Sequence, residues 1–143
     1  MQEFQYLKGK KLNQINESLR LIRSAENHLI NKEFGISCYE SRLSAIISLK
    51  KLADYLNLET KNNTLRELYK QINRFLNLNS IKYCIDYLDS LKNLEISHCD
   101  TYCADEIPGS EILEYANKDD AERAIKCSRE IYNFLLLNII NLN

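Results

Sequence analysis

The residues best suited to chemistry are Arg23 and His28, five positions apart in "RSAENH". Metal-independent RNA cleavage needs a histidine that moves a proton near neutral pH and a cation that steadies the phosphate, and this pair supplies both types. On a helix, residues five apart point about 140° away from each other at ~100° per residue. One chain therefore splits the pair, and a dimer would have to bring the two around one cleft. With seven arginines and two histidines in the chain, such a spacing also arises by accident, and the two are then ordinary surface or interface residues.

Two other groups carry ligand chemistry. His98, Cys99 and Cys103, with Asp100 and Asp105 nearby, are metal-ligand types. Structural zinc takes four ligands, usually as two close pairs, and no Cys-x2-Cys is present, so Cys84 or Cys127 would have to complete the set through folding. No metal site is expected. Cys99 beside His98 makes no nucleophile–base pair unless the chain turns sharply there. Five cysteines at irregular spacing read as reduced thiols that fill small spaces.

The second group is Arg42, Lys50, Lys51 and Arg66, with Tyr55 and Tyr69 near them, which could meet a phosphate or a base. His98 and Tyr102 extend this candidate binding set. The plainer reading is a solvated face offset by Glu40, Asp54 and Glu67. No glycine-rich phosphate loop exists, so a nucleotide would rest on side chains or a helix N-terminus, and no cofactor is expected.

Helices must position these residues. Ile15, Leu19, Ile22, Glu26 and Leu29 form one stripe at helical spacing over about Lys11 to Ile30, with Glu26 as its discordant carboxylate. A carboxylate on an apolar stripe should be paired or lie at an interface. Asn31 to Gly35 reads as a turn with Gly35 supplying backbone freedom. A second helix over about Ile36 to Leu56 has a broad apolar face, as a central helix with several neighbours would. Thr64 and Glu67 give a capping-box pattern for a third helix. Ser80 is placed to cap a fourth, which turns Ile81, Cys84, Ile85, Leu88 and Leu91 inward. Residues from about 95 to 118 form a long irregular connection with the chain's one proline. The last helix starts at Asp119 or Asp120, acids suited to a helix N-terminus, and its end, "IYNFLLLNIINL", is apolar on more than one side. That calls for a second apolar surface from another subunit.

The bulk numbers agree with this picture. At 143 residues the chain is expected to be one domain, 1–143. A net charge of −1 argues against a strongly cationic nucleic-acid binder. No apolar run spans a membrane and no signal peptide is evident, so a cytoplasmic protein is expected. The fold class predicted is all-α: an antiparallel bundle of four main helices plus a shorter helix.

Four segments together resemble the HEPN domain family (higher eukaryotes and prokaryotes nucleotide-binding). "SAENHLINKEFGISCYESRLSAIISLKKLADYLNL" (24–58) resembles its opening helix pair, and "NTLRELYKQI" (63–72) its short Leu-rich third helix. "LDSLKNLEISHCDTYCAD" (88–105) is similar to its fourth helix and following loop, and "DDAERAIKCSREIYNFL" (119–135) to its closing helix. The likeness runs from about Leu12 to Leu137. It implies a helical, often dimeric protein. Some members are ribonucleases with an Arg-x4-6-His motif from each protomer; others partner minimal nucleotidyltransferases, in pairings of the toxin–antitoxin kind, or act as binding modules. The family's nuclease motif lies in a later helix than Arg23 and His28, and its Arg-Tyr-Pro loop reads Thr101-Tyr102-Cys103 here. The expectation is therefore a noncatalytic HEPN-like domain that dimerises and binds a nucleotidyltransferase, a nucleotide or RNA. The alternatives are a ribonuclease using Arg23 and His28, and a purely structural helical module.

Overall fold

In the computed structural model, the described residues are 2–60, 64–92 and 116–142, with side chains over 16–60, 64–92 and 116–140. Every regular element among them is helical: α1 (Gln2–Ile30), α2 (Phe34–Tyr55), α3 (Leu65–Asn73), a 3-10 turn (Asn79–Ile81), α4 (Lys82–Ser90) and α5 (Lys118–Leu142). Three helices are long and two have nine residues each. The all-helical class expected from the sequence holds.

α2 is the axis of the structure and packs against α1, α3, α4 and α5. It has neighbours on most sides because it is lined with small residues. Gly35, Ser37, Cys38, Ser41, Ser44, Ala45, Ser48 and Ala53 are all buried, between the larger Ile46, Leu49 and Leu52. Small side chains let neighbouring backbones come close, and several of the serines find acceptors on the way. Ser37 Oγ donates to the Ala25 carbonyl at 2.8 Å, and Ser44 Oγ to the Ser18 carbonyl at 2.8 Å. As the α2 number rises the α1 number falls, so α1 and α2 run antiparallel. Ile22, Leu49, Leu52, Leu65, Leu68, Ile72, Ile85, Leu88, Ile131 and Leu135, from all five helices, fill the core between them.

The ends differ in detail from the sequence expectations. α1 begins at Gln2 rather than near Lys11. The one breaker in that stretch is Gly9, and a single glycine costs a helix only ~1 kcal/mol. The α1–α2 turn does not use Gly35, which is buried in the first turn of α2 with no positive φ. Lys32 takes the left-handed conformation instead, at φ 62. Its N–H bonds the Leu29 carbonyl at 3.0 Å and the Glu33 N–H bonds the His28 carbonyl at 2.8 Å, a Schellman closure. α2 closes the same way through Asn57 at φ 59, with Leu58 N–H on the Ala53 carbonyl at 2.9 Å. Asparagine tolerates that region far better than lysine.

Thr64 caps α3 as expected, accepting the Glu67 N–H at 3.2 Å. Ser80 does not cap α4. A 3-10 turn leads into that helix, and Asn73 and Asn77 side chains accept the Leu78 and Asn79 N–H groups at 3.0 and 2.8 Å. α5 is capped by Asn117, whose Oδ1 accepts the Asp120 N–H at 2.8 Å while Asp120 Oδ2 accepts the Asn117 N–H at 3.1 Å. This reciprocal pair, rather than an Asp119 or Asp120 cap, starts the helix at Lys118.

Candidate functional site

α1 presents different chemistry to its two neighbours. Its buried stripe is Ser18, Ile22 and Ala25, with Leu29 packed against it. At ~100° per residue, Ser24 and His28 fall on one flank of that stripe, and Arg23 and Glu26 on the other.

On the α2 flank, Glu40 holds two side chains of α1. Its Oε2 accepts the Ser24 hydroxyl at 2.6 Å, and its Oε1 hydrogen-bonds His28 Nδ1. The Glu40 side chain is only 14% exposed and His28 30%, so the pair is largely shielded from water. A carboxylate accepts and does not donate, so Nδ1 is the donor in this bond. A histidine oriented by a carboxylate is one component of a general acid or base.

On the α5 flank, Glu26 pairs with Arg129 Nη2. The discordant carboxylate of the α1 stripe is thus paired, as the sequence implied. Arg23 is exposed and its charge acts on the phenol of Tyr132, opposing the burial that pushes that group's pKa up. Arg23 and His28 are therefore not brought together within the chain. His28 serves the α1–α2 interface, and Arg23 is exposed.

The basic set expected around α2 is only partly assembled. Lys50 and Lys51 line a depression of about 420 Å³ with Glu17, Ile47, Asp54 and Thr60, so two cations there meet two carboxylates. Arg42 does not join a solvated face. It is 5% exposed, because it falls among the positions of α2 that are covered all round. Burial lowers its pKa, against the raising influence of Asp89 and Tyr39. Arg66 is exposed on α3 and is not among the residues lining that depression. His98, Tyr102, Cys99, Asp100, Cys103 and Asp105 lie outside the described residues. Among the described residues, no group of three or more His, Cys, Asp or Glu side chains is placed to hold a metal ion. Nor is any helix among them long and apolar enough to cross a membrane.

A larger cleft, about 560 Å³, opens between α4 and α5. Tyr83, Cys84, Asp119, Glu122, Arg123, Lys126, Cys127 and Glu130 line it. Cys84 Sγ donates to Glu130 Oε2 at 3.0 Å, and Cys127 lines the same cleft one turn before Glu130 on α5. The two thiols are driven apart in acidity. The bond to Cys127, then burial and Glu130, hold Cys84 far above the ordinary thiol value. Cys127 is lowered, chiefly by the hydrogen bond from Cys84, with help from Arg123 and Lys126 against burial and Glu130. One helical turn away, the Arg123 guanidinium stacks 5.2 Å from the Tyr87 ring centroid, and the Tyr87 hydroxyl donates to the Asp120 carbonyl at 3.0 Å. Inward-facing Cys84 is visible in the helical periodicity, but its pairing with Cys127 depends on how α4 and α5 are set against each other. Glu40 is missed for the same reason. The one signal in the sequence is that Ser24 and His28, four apart, offer one acceptor two donors.

The α5 C-terminal turns leave apolar surface uncovered: Leu137 is 61% and Ile140 66% exposed, one turn apart.

The HEPN domain family model matches residues 14–139. No curated protein sequence matches the chain. The structure is similar to the crystal structure of an archaeal HEPN homologue, with TM-score 0.69 and 19% identity, covering 90% of this chain and 97% of that one. It is also similar to a crystal structure of a protein from Thermus thermophilus, with TM-score 0.70 and 15% identity, covering 88% and 95%. At these identities the likeness is one of fold, and the family match over most of the length carries the assignment: the chain belongs to the HEPN domain family.

Proposed function

We propose that this protein is a noncatalytic HEPN domain of the cytoplasm that dimerises and binds a partner: a minimal nucleotidyltransferase, as in a toxin–antitoxin pair, or else RNA or a nucleotide. The observation that carries this reading is the division of Arg23 and His28 between opposite flanks of α1. His28 is held by Glu40 on α2, whereas exposed Arg23 points about 140° away from it around the helix, so neither is poised toward the other. The exposed Leu137 and Ile140 on α5 supply the apolar surface for a second subunit. Lys50, Lys51 and Arg66 are among the cations open to a phosphate-bearing partner.

One feature favours a second reading, the ribonuclease. Glu40 holds His28 Nδ1, and a dimer could supply Arg23 from the other copy. Incubating the purified protein with mixed RNA beside His28→Ala separates the two. The noncatalytic reading expects identical RNA traces for both proteins; cleavage by the wild type that disappears in His28→Ala would replace it with the ribonuclease. Light scattering over a range of concentrations should give a dimer that Leu137→Asp/Ile140→Asp dissociates. A strict monomer at the highest concentration would remove dimerisation from the proposal.

A further inference from the structure

We propose that the outer face of α3, with Arg66, Lys70 and Arg74 in one row, is a docking surface for an acidic helix of a partner protein. The proposal goes beyond the reading above and stands whether or not the protein dimerises or cleaves RNA. Three observations support it.

The first is the register of the row. The three cations are four residues apart, so each lies ~6 Å along the helix from the next and is turned by only ~40°. Leu65, Leu68 and Ile72 form the buried side of α3, and at ~100° per residue Lys70 falls opposite their centre. Arg74 extends the row past the last residue of α3, because the backbone stays right-handed helical there at φ −69 and ψ −24. All three residues are exposed, and among the described residues none of their side chains makes an ion pair or hydrogen bond.

The second is the local charge. From Thr64 to Tyr83 the chain carries four cations, Arg66, Lys70, Arg74 and Lys82, and one acid, Glu67, although the net charge of the whole is −1. The field of such a patch fades over a Debye length, ~8 Å at physiological salt, so it acts on a segment in contact. The third is Phe75, which follows Arg74 and is 67% exposed. A phenyl ring in water at the end of a charged row offers a partner an apolar anchor.

An acidic helix fits this combination better than a nucleic-acid strand. Side chains four residues apart form one ridge of a helix surface, and a second helix packs against it with a ridge of the same ~6 Å repeat. Acids at i, i+4 and i+8 of that second helix meet the three cations in step. Single strands instead follow charged grooves in which successive bases stack on aromatic rings. This row lies on the convex side of one helix. It lines neither the α4–α5 cleft nor the depression at Lys50, and Tyr69 of the same helix packs against the core rather than standing free.

The test titrates the whole chain against fluorescein-labelled synthetic probes, read by fluorescence anisotropy at about 50 mM salt, where surface charge is weakly screened. The acidic probe is an alanine-based helical peptide with three Glu four residues apart and a Leu on the same face at either end. A peptide of identical composition with the Glu positions scattered around the helix is the control, and a short oligouridine is the nucleic-acid probe. The ordered peptide should bind at submillimolar concentration, roughly tenfold or more tighter than the scattered one. Lys70→Glu should weaken it several-fold. Arg66→Glu/Lys70→Glu/Arg74→Glu should abolish it and confer binding to the same peptide with Lys in place of Glu. Phe75→Ala should weaken it by roughly threefold. No binding of the ordered peptide at about 1 mM, equal binding of the ordered and scattered peptides, or binding that survives the triple charge reversal would each overturn the proposal. Oligouridine binding that the triple reversal abolishes, with no binding of the ordered peptide, would overturn it too and give the face to nucleic acid.

Discussion

Replacing Glu40 by alanine should be among the more damaging single changes outside the apolar core. Glu40 accepts from Ser24 at 2.6 Å and from His28 Nδ1, and its side chain is 14% exposed. A hydrogen bond to a charged group contributes about 1.5–3 kcal/mol when shielded, and a donor left without its partner adds a desolvation cost. His28 is 30% exposed and can turn to water for part of its loss, which brings the total to about 2–4 kcal/mol. For a chain between the small and medium size classes, each kcal/mol moves the melting temperature by roughly 3–4 °C. Glu40→Ala should therefore melt roughly 6–15 °C below wild type. Circular dichroism melts of wild type, Glu40→Ala, His28→Ala and the double variant at pH 7 form a cycle whose coupling should reach about 1–2 kcal/mol. A Glu40→Ala shift below ~2 °C, or a coupling indistinguishable from zero, would refute the idea that this carboxylate organises the α1–α2 flank.

Four further outcomes follow from the packing. Ser48 and Ser128 bury hydroxyls that find no hydrogen-bond partner among the described residues, so Ser48→Ala and Ser128→Ala should each be neutral or stabilising by up to ~1 kcal/mol in urea denaturation. Lys32→Gly should stabilise by ~0.5 kcal/mol, because relief of the left-handed strain at φ 62 outweighs the added freedom of the unfolded chain. Leu68→Ala, at a fully buried position of α3, should cost about 2–5 kcal/mol in the same assay. Burial and Asp120 push Cys38 up from 9.0 to about 12 and Tyr87 from 10.0 to about 12. In both cases the unfolded chain loses its proton first, so stability is intact below pH 9 and should fall as the pH rises toward 12; Cys38→Ala should flatten the lower part of that decline.

What the sequence made legible was whatever a single helix determines. Helical periodicity, the Thr64 cap of α3 and the inward face of Ile81, Cys84, Ile85 and Leu88 depend on neighbours within a few residues. The need for a partner at Glu26 was legible too, since a carboxylate on an apolar stripe has few other solutions. What could not be read was anything set by the register of one helix on another. Glu40 looked like one more surface acid offsetting a basic face, yet antiparallel α1 and α2 lay it across Ser24 and His28. Arg42 looked like part of that basic face, and the covering of α2 on most sides buried it. The turns failed for a subtler reason. Gly35 is the residue best able to adopt positive φ, but close packing claimed it and left Lys32 to bear the turn.

The same distinction bears on how an Arg-x4-His spacing should be weighed in a helical protein. Linear spacing counts as a site only if both side chains reach one surface, and on α1 the two point about 140° apart. His28 Nδ1 is held by Glu40, but the cation that would steady a phosphate sits on the opposite flank of the helix. The α4–α5 cleft inverts the case. Cys84 and Cys127 are 43 positions apart, with no motif to announce them, yet they line one cleft with Glu130, Arg123 and Lys126. In a bundle of this kind, which side chains meet is set by which helices face each other and in what register.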